Sequence, residues 1–329
     1  MKAIAFFNNK GGVGKTALAY HLAYMFADRG LRVVTADFDP QANLTSMFLD
    51  EDRLEFLWPD GRHSRTVMGF IDPIVDGTGD ITPPRIEKIE SKLGLLPGDL
   101  GLSIFEDALS DAWPRCLGGD KRAFRVTSAF SRLIARATEE EEADLALIDV
   151  GPNLGSINRA ALIAADHVVI PLGPDLFSLQ GLRNLGPTLV RWRRDWRDRL
   201  QRNTEPDLPL PKGDMEPVGY VMMRHSIRLD RPVKAYARWI DRVPGVYLSS
   251  VLERPSQHPP SMDSDPNCLA QMKDYRSLMP MAQENNKPMF FLKPADGAIG
   301  GHQAAVRDCY RDFRELAQRI GKAAGISVP

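Results

Sequence analysis

Cysteine is scarce in this chain of 329 residues, and Cys116, Cys268 and Cys309 are far apart and odd in number. That excludes a disulfide framework and fits a reducing compartment. Long apolar runs are also missing. None approaches the roughly 18 residues of a membrane span, and the N-terminus enters a strand pattern directly instead of a signal peptide. The stretch from Gly321 to Pro329 lacks the basic amphipathic pattern of an interfacial helix. The expectation is a cytoplasmic protein with no membrane partner. Charge of one sign is not in excess either: 42 Lys and Arg against 43 Asp and Glu give a formal net charge of −1. Any contact with nucleic acid must therefore come from a local patch. Internal repeats, heptads and low-complexity tracts are absent. A composition of 43% hydrophobic and 26% charged residues is that of a globular chain with a substantial core.

What stands out is Asn8-Asn9-Lys10-Gly11-Gly12-Val13-Gly14-Lys15-Thr16, a glycine-rich turn between the apolar run Ala3 to Phe7 and a helical pattern with Leu18, Leu22, Met25 and Phe26 on one face. After a buried strand, successive glycines can aim backbone N–H groups at a polyphosphate, while Lys15 and the helix N-terminus add positive charge. Thr16 supplies a hydroxyl for Mg²⁺. Arg29-Gly30 closes the helix, and Arg32 to Ala36 reads as a second strand. Strand, loop, helix and strand make a βαβ unit, which implies an α/β fold with a mostly parallel sheet. The strict phosphate-loop pattern is not met, because Asn9 occupies the place of its first glycine and Lys10 is an additional lysine.

Lys-Gly-Gly-x-Gly-Lys-Thr is the deviant form of the loop, and with it the sequence resembles the ParA/MinD family of P-loop ATPases, in particular the ParA type. Asp37-Phe38-Asp39-Pro40-Gln41-Ala42-Asn43-Leu44-Thr45 and the strand Ala143 to Asp149, followed by Val150-Gly151-Pro152, extend the likeness. The resemblance implies a P-loop NTPase fold, a twisted sheet with helices on both faces, in one domain over residues 1–329 with a variable insertion around 48–92. It implies ATP and Mg²⁺ as cofactors, with ATP held from Lys10 through Gly11, Gly12, Val13, Gly14, Lys15 and Thr16 to Ala17. Lys10, Lys15 and Asp39 are the catalytic candidates: Lys10 reaches the phosphates of the partner in a nucleotide-sandwich homodimer, and Asp39 activates or positions the attacking water. Thr16 and, through water, Asp149 would hold the metal, with Asp39 a further candidate. A solvated Asp-Pro turn at 37–40 and a structural strand-end Asp149 are the plainer alternatives.

Further along, Phe48 to Thr82 is expected to form surface loops and short helices, broken by Pro59-Asp60-Gly61 and Asp76-Gly77. Strands are expected at Leu93 to Leu96, Asp166 to Leu172, Val218 to Met223 and Val246 to Leu252, and a closing helix carries Cys309, Phe313, Leu316 and Ile320 on its inner face. The helix after Phe177 buries Leu185, Leu189, Trp192 and Trp196, and its other faces carry Arg183, Arg191, Arg193, Arg194, Arg197, Arg199 and Arg202. Of these, Arg183, Arg191, Arg193, Arg194 and Arg197 are candidates for non-specific contact with double-stranded DNA; a solvated charged face is the alternative. The resemblance therefore implies a DNA-associated partition or positioning ATPase whose hydrolysis awaits a stimulating partner protein. Two rivals stand beside it: a nucleotide-switched regulatory or scaffold protein without DNA binding, and a redox ATPase similar to the nitrogenase iron protein. The iron protein has a cysteine just after the strand-end aspartate, where this chain has Gly151-Pro152-Asn153. In related ATPases the ends of the last two expected strands surround the adenine, and this chain has Met223-Arg224-His225 after the first of them.

Overall fold

The computed structural model describes residues 1–223, 239–275 and 277–329. Arg224 and His225 lie outside the described residues. The chain alternates strands and helices: β1 (Lys2–Phe6), α1 (Lys15–Asp28), β2 (Val33–Asp37), α2 (Asn43–Phe48), α3 (Glu51–Leu57), α4 (Val67–Val75), β3 (Glu87–Glu90) and β4 (Leu93–Leu96). Then come α5 (Phe105–Arg115), α6 (Lys121–Thr127), α7 (Ala129–Glu140), β5 (Leu145–Asp149), α8 (Ser156–Ile163), β6 (His167–Leu172), α9 (Leu176–Leu200), β7 (Glu216–Met223) and β8 (Cys268–Met272). The strands form one sheet in the order β3-β4-β2-β5-β1-β6-β7-β8, parallel except for the antiparallel edge pair β3 and β4. No described helix is long and apolar enough to cross a membrane.

The central strands are apolar on both faces because both faces are covered. Alternation along each strand divides the side chains between two cores. Ala3, Ala5, Ala146 and Ile148 face the layer of α4 to α9. Ile4, Phe6, Leu145 and Leu147 face α1 and the closing helix Gly301–Ala324. The fold is the expected α/β architecture.

Three local readings are corrected. The helix α1 is buried from Leu18 to Ala27 and not along one face only, since the closing helix lies over its outer side and Phe313 stacks on His21 at 5.0 Å. Residues 48–82 form the expected short helices but not at the surface alone: Val67, Phe70, Ile71 and Ile74 of α4 are core residues, and the edge strand β3 follows. Val246 to Leu252 is helical, not a strand, with a short helix Val243–Val246 running into a π-helical turn over Tyr247–Val251. A Cβ on Gly186 of α9 would lie 1.8 Å from the Ser250 carbonyl oxygen, so the two segments pack backbone to backbone. That packing buries Val246, Tyr247 and Val251 and overrides their β-branched and aromatic preference. The last strand is instead Cys268–Met272, whose short mixed composition gives little signal.

Candidate active site

The loop between β1 and α1 emerges at the carboxyl end of the sheet, where β1 is flanked by β5 on one side and β6 on the other. In parallel sheets this crevice is the usual ligand position. Gly12 and Gly14 take φ of +70° and +82°, which side chains resist, and Gly14 ends the loop as the first residue before α1. Asn8 anchors the loop's start: its amide donates to the Pro171 carbonyl at 2.7 Å, and its oxygen accepts the Lys10 N–H at 3.0 Å.

Gly11, Gly12, Gly14, Lys15, Thr16 and Ala17 line a cavity of about 640 Å³ together with Asp39, its far wall formed by α2 and the helix Leu278–Glu284. A smaller cavity of about 120 Å³ shares Gly14, Ala17, His21 and Met279 with it and is walled by Met223 and Met272. Val13 is buried in the loop and does not line the cavity.

Register sets the acids. Asp37 and Asp149 are partners at the ends of β2 and β5, and Phe6 of β1 pairs with Asp149. Asp37 is fully buried and accepts the Thr45 N–H and hydroxyl, both at 2.8 Å. Burial pushes its carboxyl up to about 6, with the Thr45 bonds opposing and the Asp39 charge adding. Asp39 accepts the Gln41 N–H at 3.0 Å, which closes the turn after β2. Burial likewise raises the Asp149 carboxyl well above the ordinary range, Asp37 adding to the shift and Thr16 and Lys15 opposing it. Neither buried Asp149 oxygen has a hydrogen-bond partner of good geometry. Lys15 is almost fully buried; burial lowers its ammonium pKa, and Asp149 and Asp39 oppose that shift.

These groups suit a hydrated divalent cation next to a polyphosphate. An orphaned strand-end carboxylate, a second acid and the Thr16 hydroxyl supply hard oxygen donors, and such a metal takes most of its ligands from phosphate and water. Among the described residues there is no cluster of three or more His, Cys, Asp or Glu that would cage a metal by itself. Cys116, Cys268 and Cys309 are all buried, and none lines either cavity.

The segment after Asp149 is tied down twice. The Asn158 amide donates to the carbonyls of Gly151 and Asn153 at 2.8 and 2.7 Å. The Glu106 carboxylate of α5 accepts the Ser156 and Ile157 N–H groups at 2.6 and 2.9 Å, capping α8 from outside. Lys10, by contrast, does not face the cavity. Its ammonium pairs with Asp175, the N-cap of α9, and lies 5.9 Å from the centre of the Phe177 ring. Lys10, expected at a partner's phosphates, thus has a carboxylate partner within its own chain.

Known proteins share this architecture. The sequence profile of a family described as an AAA domain matches residues 1–202. Protein IncC of Escherichia coli is 29% identical over 194 residues, which are 59% of this chain and 47% of IncC. Chromosome partitioning protein ParA of Myxococcus xanthus is 28% identical over 218 residues, 64% of this chain and 62% of that protein. Each match thus spans less than two thirds of the relative's length. A solved structure from Corynebacterium diphtheriae superposes with a TM-score of 0.69 at 25% identity and covers 98% of both chains. McdA of Cyanothece in complex with ATP superposes with a TM-score of 0.62 at 17% identity, over 99% of this chain and 97% of that one, a likeness of fold.

The chain belongs to the ParA/MinD family of P-loop ATPases. In this ParA/MinD-type chain the candidate DNA arginines sit on α9, whose first turns pack against the phosphate loop. Arg183, Arg191, Arg194 and Arg197 are exposed and Arg193 is half-buried; Arg193, Arg194 and Arg197 line a 580 Å³ cavity with Glu216, Glu253 and Arg254. Arg199 is not part of a basic surface: it is buried, 3.9 Å over the Trp113 ring, and donates to the Trp113 carbonyl at 2.8 Å. Sequence reasoning missed Asp175, Glu106 and His21. Asp175 and Ser178 do form a readable D-x-x-S helix cap, but nothing local signals that Asp175 also receives Lys10.

Proposed function

We propose that this chain is a Mg²⁺-dependent ATPase that dimerises around ATP and, as an ATP-bound dimer, holds double-stranded DNA without sequence preference, acting in partition or positioning of a cargo. The observation that carries the reading is the buried Lys15 beside Asp39 and the unpartnered Asp149, at the mouth of a glycine loop. The names of IncC and ParA among the relatives, and the ATP in the McdA structure, support it.

In this reading the N–H groups of Gly11 to Thr16 and the Lys15 ammonium bind the β- and γ-phosphates. Thr16, with Asp149 through water and Asp39 near by, would hold Mg²⁺, which when bound neutralises charge on those phosphates. Asp39 orients the attacking water. Asp37 acts on the turn and not on the substrate, because its oxygens are occupied by Thr45 and the Asp39 N–H. Lys10 completes the site of the partner subunit, so hydrolysis is slow until assembly and a stimulating protein bring the parts together. Loss of the γ-phosphate frees the turns after Asp37 and Asp149 and reverses the cycle.

The test is retention on random-sequence duplex DNA with ATP or ADP, across a salt series, for the wild type and Arg194→Glu/Arg197→Glu. ATP-dependent retention that weakens with salt and falls at least about tenfold in the variant is expected. ATP-driven dimers that never bind DNA would put the protein-only switch in its place.

A further inference from the structure

The resting position of Lys10 is not explained by its work across an interface. Its ammonium pairs with Oδ2 of Asp175, 165 residues away in sequence, at the first turn of α9. The acceptor is rigidly placed. Oδ1 of Asp175 accepts the Ser178 N–H at 2.9 Å, and the Ser178 hydroxyl accepts the Gly173 N–H at 2.9 Å. The side chains of Lys10 and Asp175 are 30% and 26% exposed, so the pair can open toward water without stranding a buried charge.

We propose that Asp175 is a positioning residue, the resting counter-ion that Lys10 leaves in order to reach a phosphate bound by a second copy of this chain. The inference rests on the reading of Lys10 as a residue that acts across an ATP-bridged dimer. Carboxylate and phosphate compete for one ammonium, and only one of them holds it at a time. A triphosphate offers more negative charge than a diphosphate and draws the lysine away more readily. Asp175 thereby sets the threshold at which ATP assembles the dimer. Once vacated, its carboxylate remains at the N-terminus of α9, where the helix dipole and the Ser178 N–H still stabilise it.

Asp175→Asn separates the two tasks of the residue, because asparagine caps a helix about as well as aspartate but carries no charge. Sedimentation of the full chain would be followed with Mg²⁺-ATP and Mg²⁺-ADP for the wild type, Asp175→Asn, Lys10→Ala and the double variant. Two such pairs open per dimer, so Asp175→Asn should dimerise with ATP at a protein concentration lower by on the order of tenfold. In the Lys10→Ala background the same change should do nothing. The proposal is overturned if Asp175→Asn leaves dimerisation unchanged or weaker while Lys10→Ala impairs it, or if its effect persists without Lys10. If Lys10→Ala dimerises like the wild type, the trans role itself is wrong and the proposal falls with it.

Discussion

Asp149 is a carboxylate with no hydrogen-bond partner in a fully buried place beside another acid, an arrangement that costs stability and is kept where a ligand completes it. Asp149→Asn should therefore raise the stability of the nucleotide-free protein by about 1–2 kcal/mol while lowering single-turnover ATP hydrolysis at least about tenfold. A urea titration and a quench-flow assay read the two effects, and a variant that loses both stability and activity would contradict the first half. Protonation argues a second case at this scale. Burial pushes the His21 imidazole down to about 4, its Nδ1 lying 2.7 Å from the Ala17 carbonyl and its Nε2 accepting the Met289 N–H at 3.2 Å. As pH falls through about 6.5 the unfolded chain takes a proton that folded His21 refuses until about 4, so this group costs stability toward acid. Asp37 has the opposite sign: its folded carboxyl, raised to about 6, keeps a proton that the unfolded chain has released. Each contribution is on the order of 3 kcal/mol, and the two nearly cancel over this window. Removing one exposes the other. His21→Gln should make the nucleotide-free protein more stable as pH falls from about 6 to 4, read as urea midpoints, whereas an unchanged slope refutes the assignment. Much of the site was legible because a phosphate loop needs glycines, a lysine and a hydroxyl at adjacent positions. The partner of Lys10 was not, because a contact spanning 165 residues depends on how β1 and β6 are paired.

At the scale of single elements, α8 depends on α5. Glu106 accepts two N–H groups at the start of α8, immediately after the segment that leaves Asp149. Glu106→Ala should cost about 1–2 kcal/mol, measured by urea unfolding, and a neutral result would mean that water replaces the cap. Elements whose pattern has one reading were recoverable, as with β5 and the alternation of its side chains between two cores. The long helix α9 was equally plain, since Leu185, Leu189, Trp192 and Trp196 recur at helical spacing and are all buried. Val246 to Leu252 failed because a short apolar run serves a strand or a buried helical turn equally well. Only the close approach of Gly186 to Ser250 decides between them. The burial of α4 was hidden for a different reason: the prolines and glycines around it indicate exposed turns and short surface helices, although Phe70, Ile71 and Ile74 are core residues.

At the scale of the molecule, one helix serves two regions: the start of α9 holds Lys10 of the phosphate loop through Asp175, and its later turns carry exposed arginines, a concentration that one net charge of −1 conceals. Composition could not reveal this, since the arginines of α9 are offset by acids elsewhere in the chain. The helix that opens with the phosphate loop is covered by residues from the far end of the sequence, where Phe313 stacks on His21 and Tyr310 donates to Asp28 at 2.6 Å. A chain ending at Gly300 should bind no ATP although it keeps every residue of the loop, as equilibrium dialysis with labelled nucleotide would detect. The same overlap fixes an order of events during synthesis. Residues 15–28 leave the ribosome early but stay wet on one side until residues 301–324 follow. The outer side of α1 is therefore closed late, and the helix that opens with the phosphate loop is among the first elements made and the last to be fully packed.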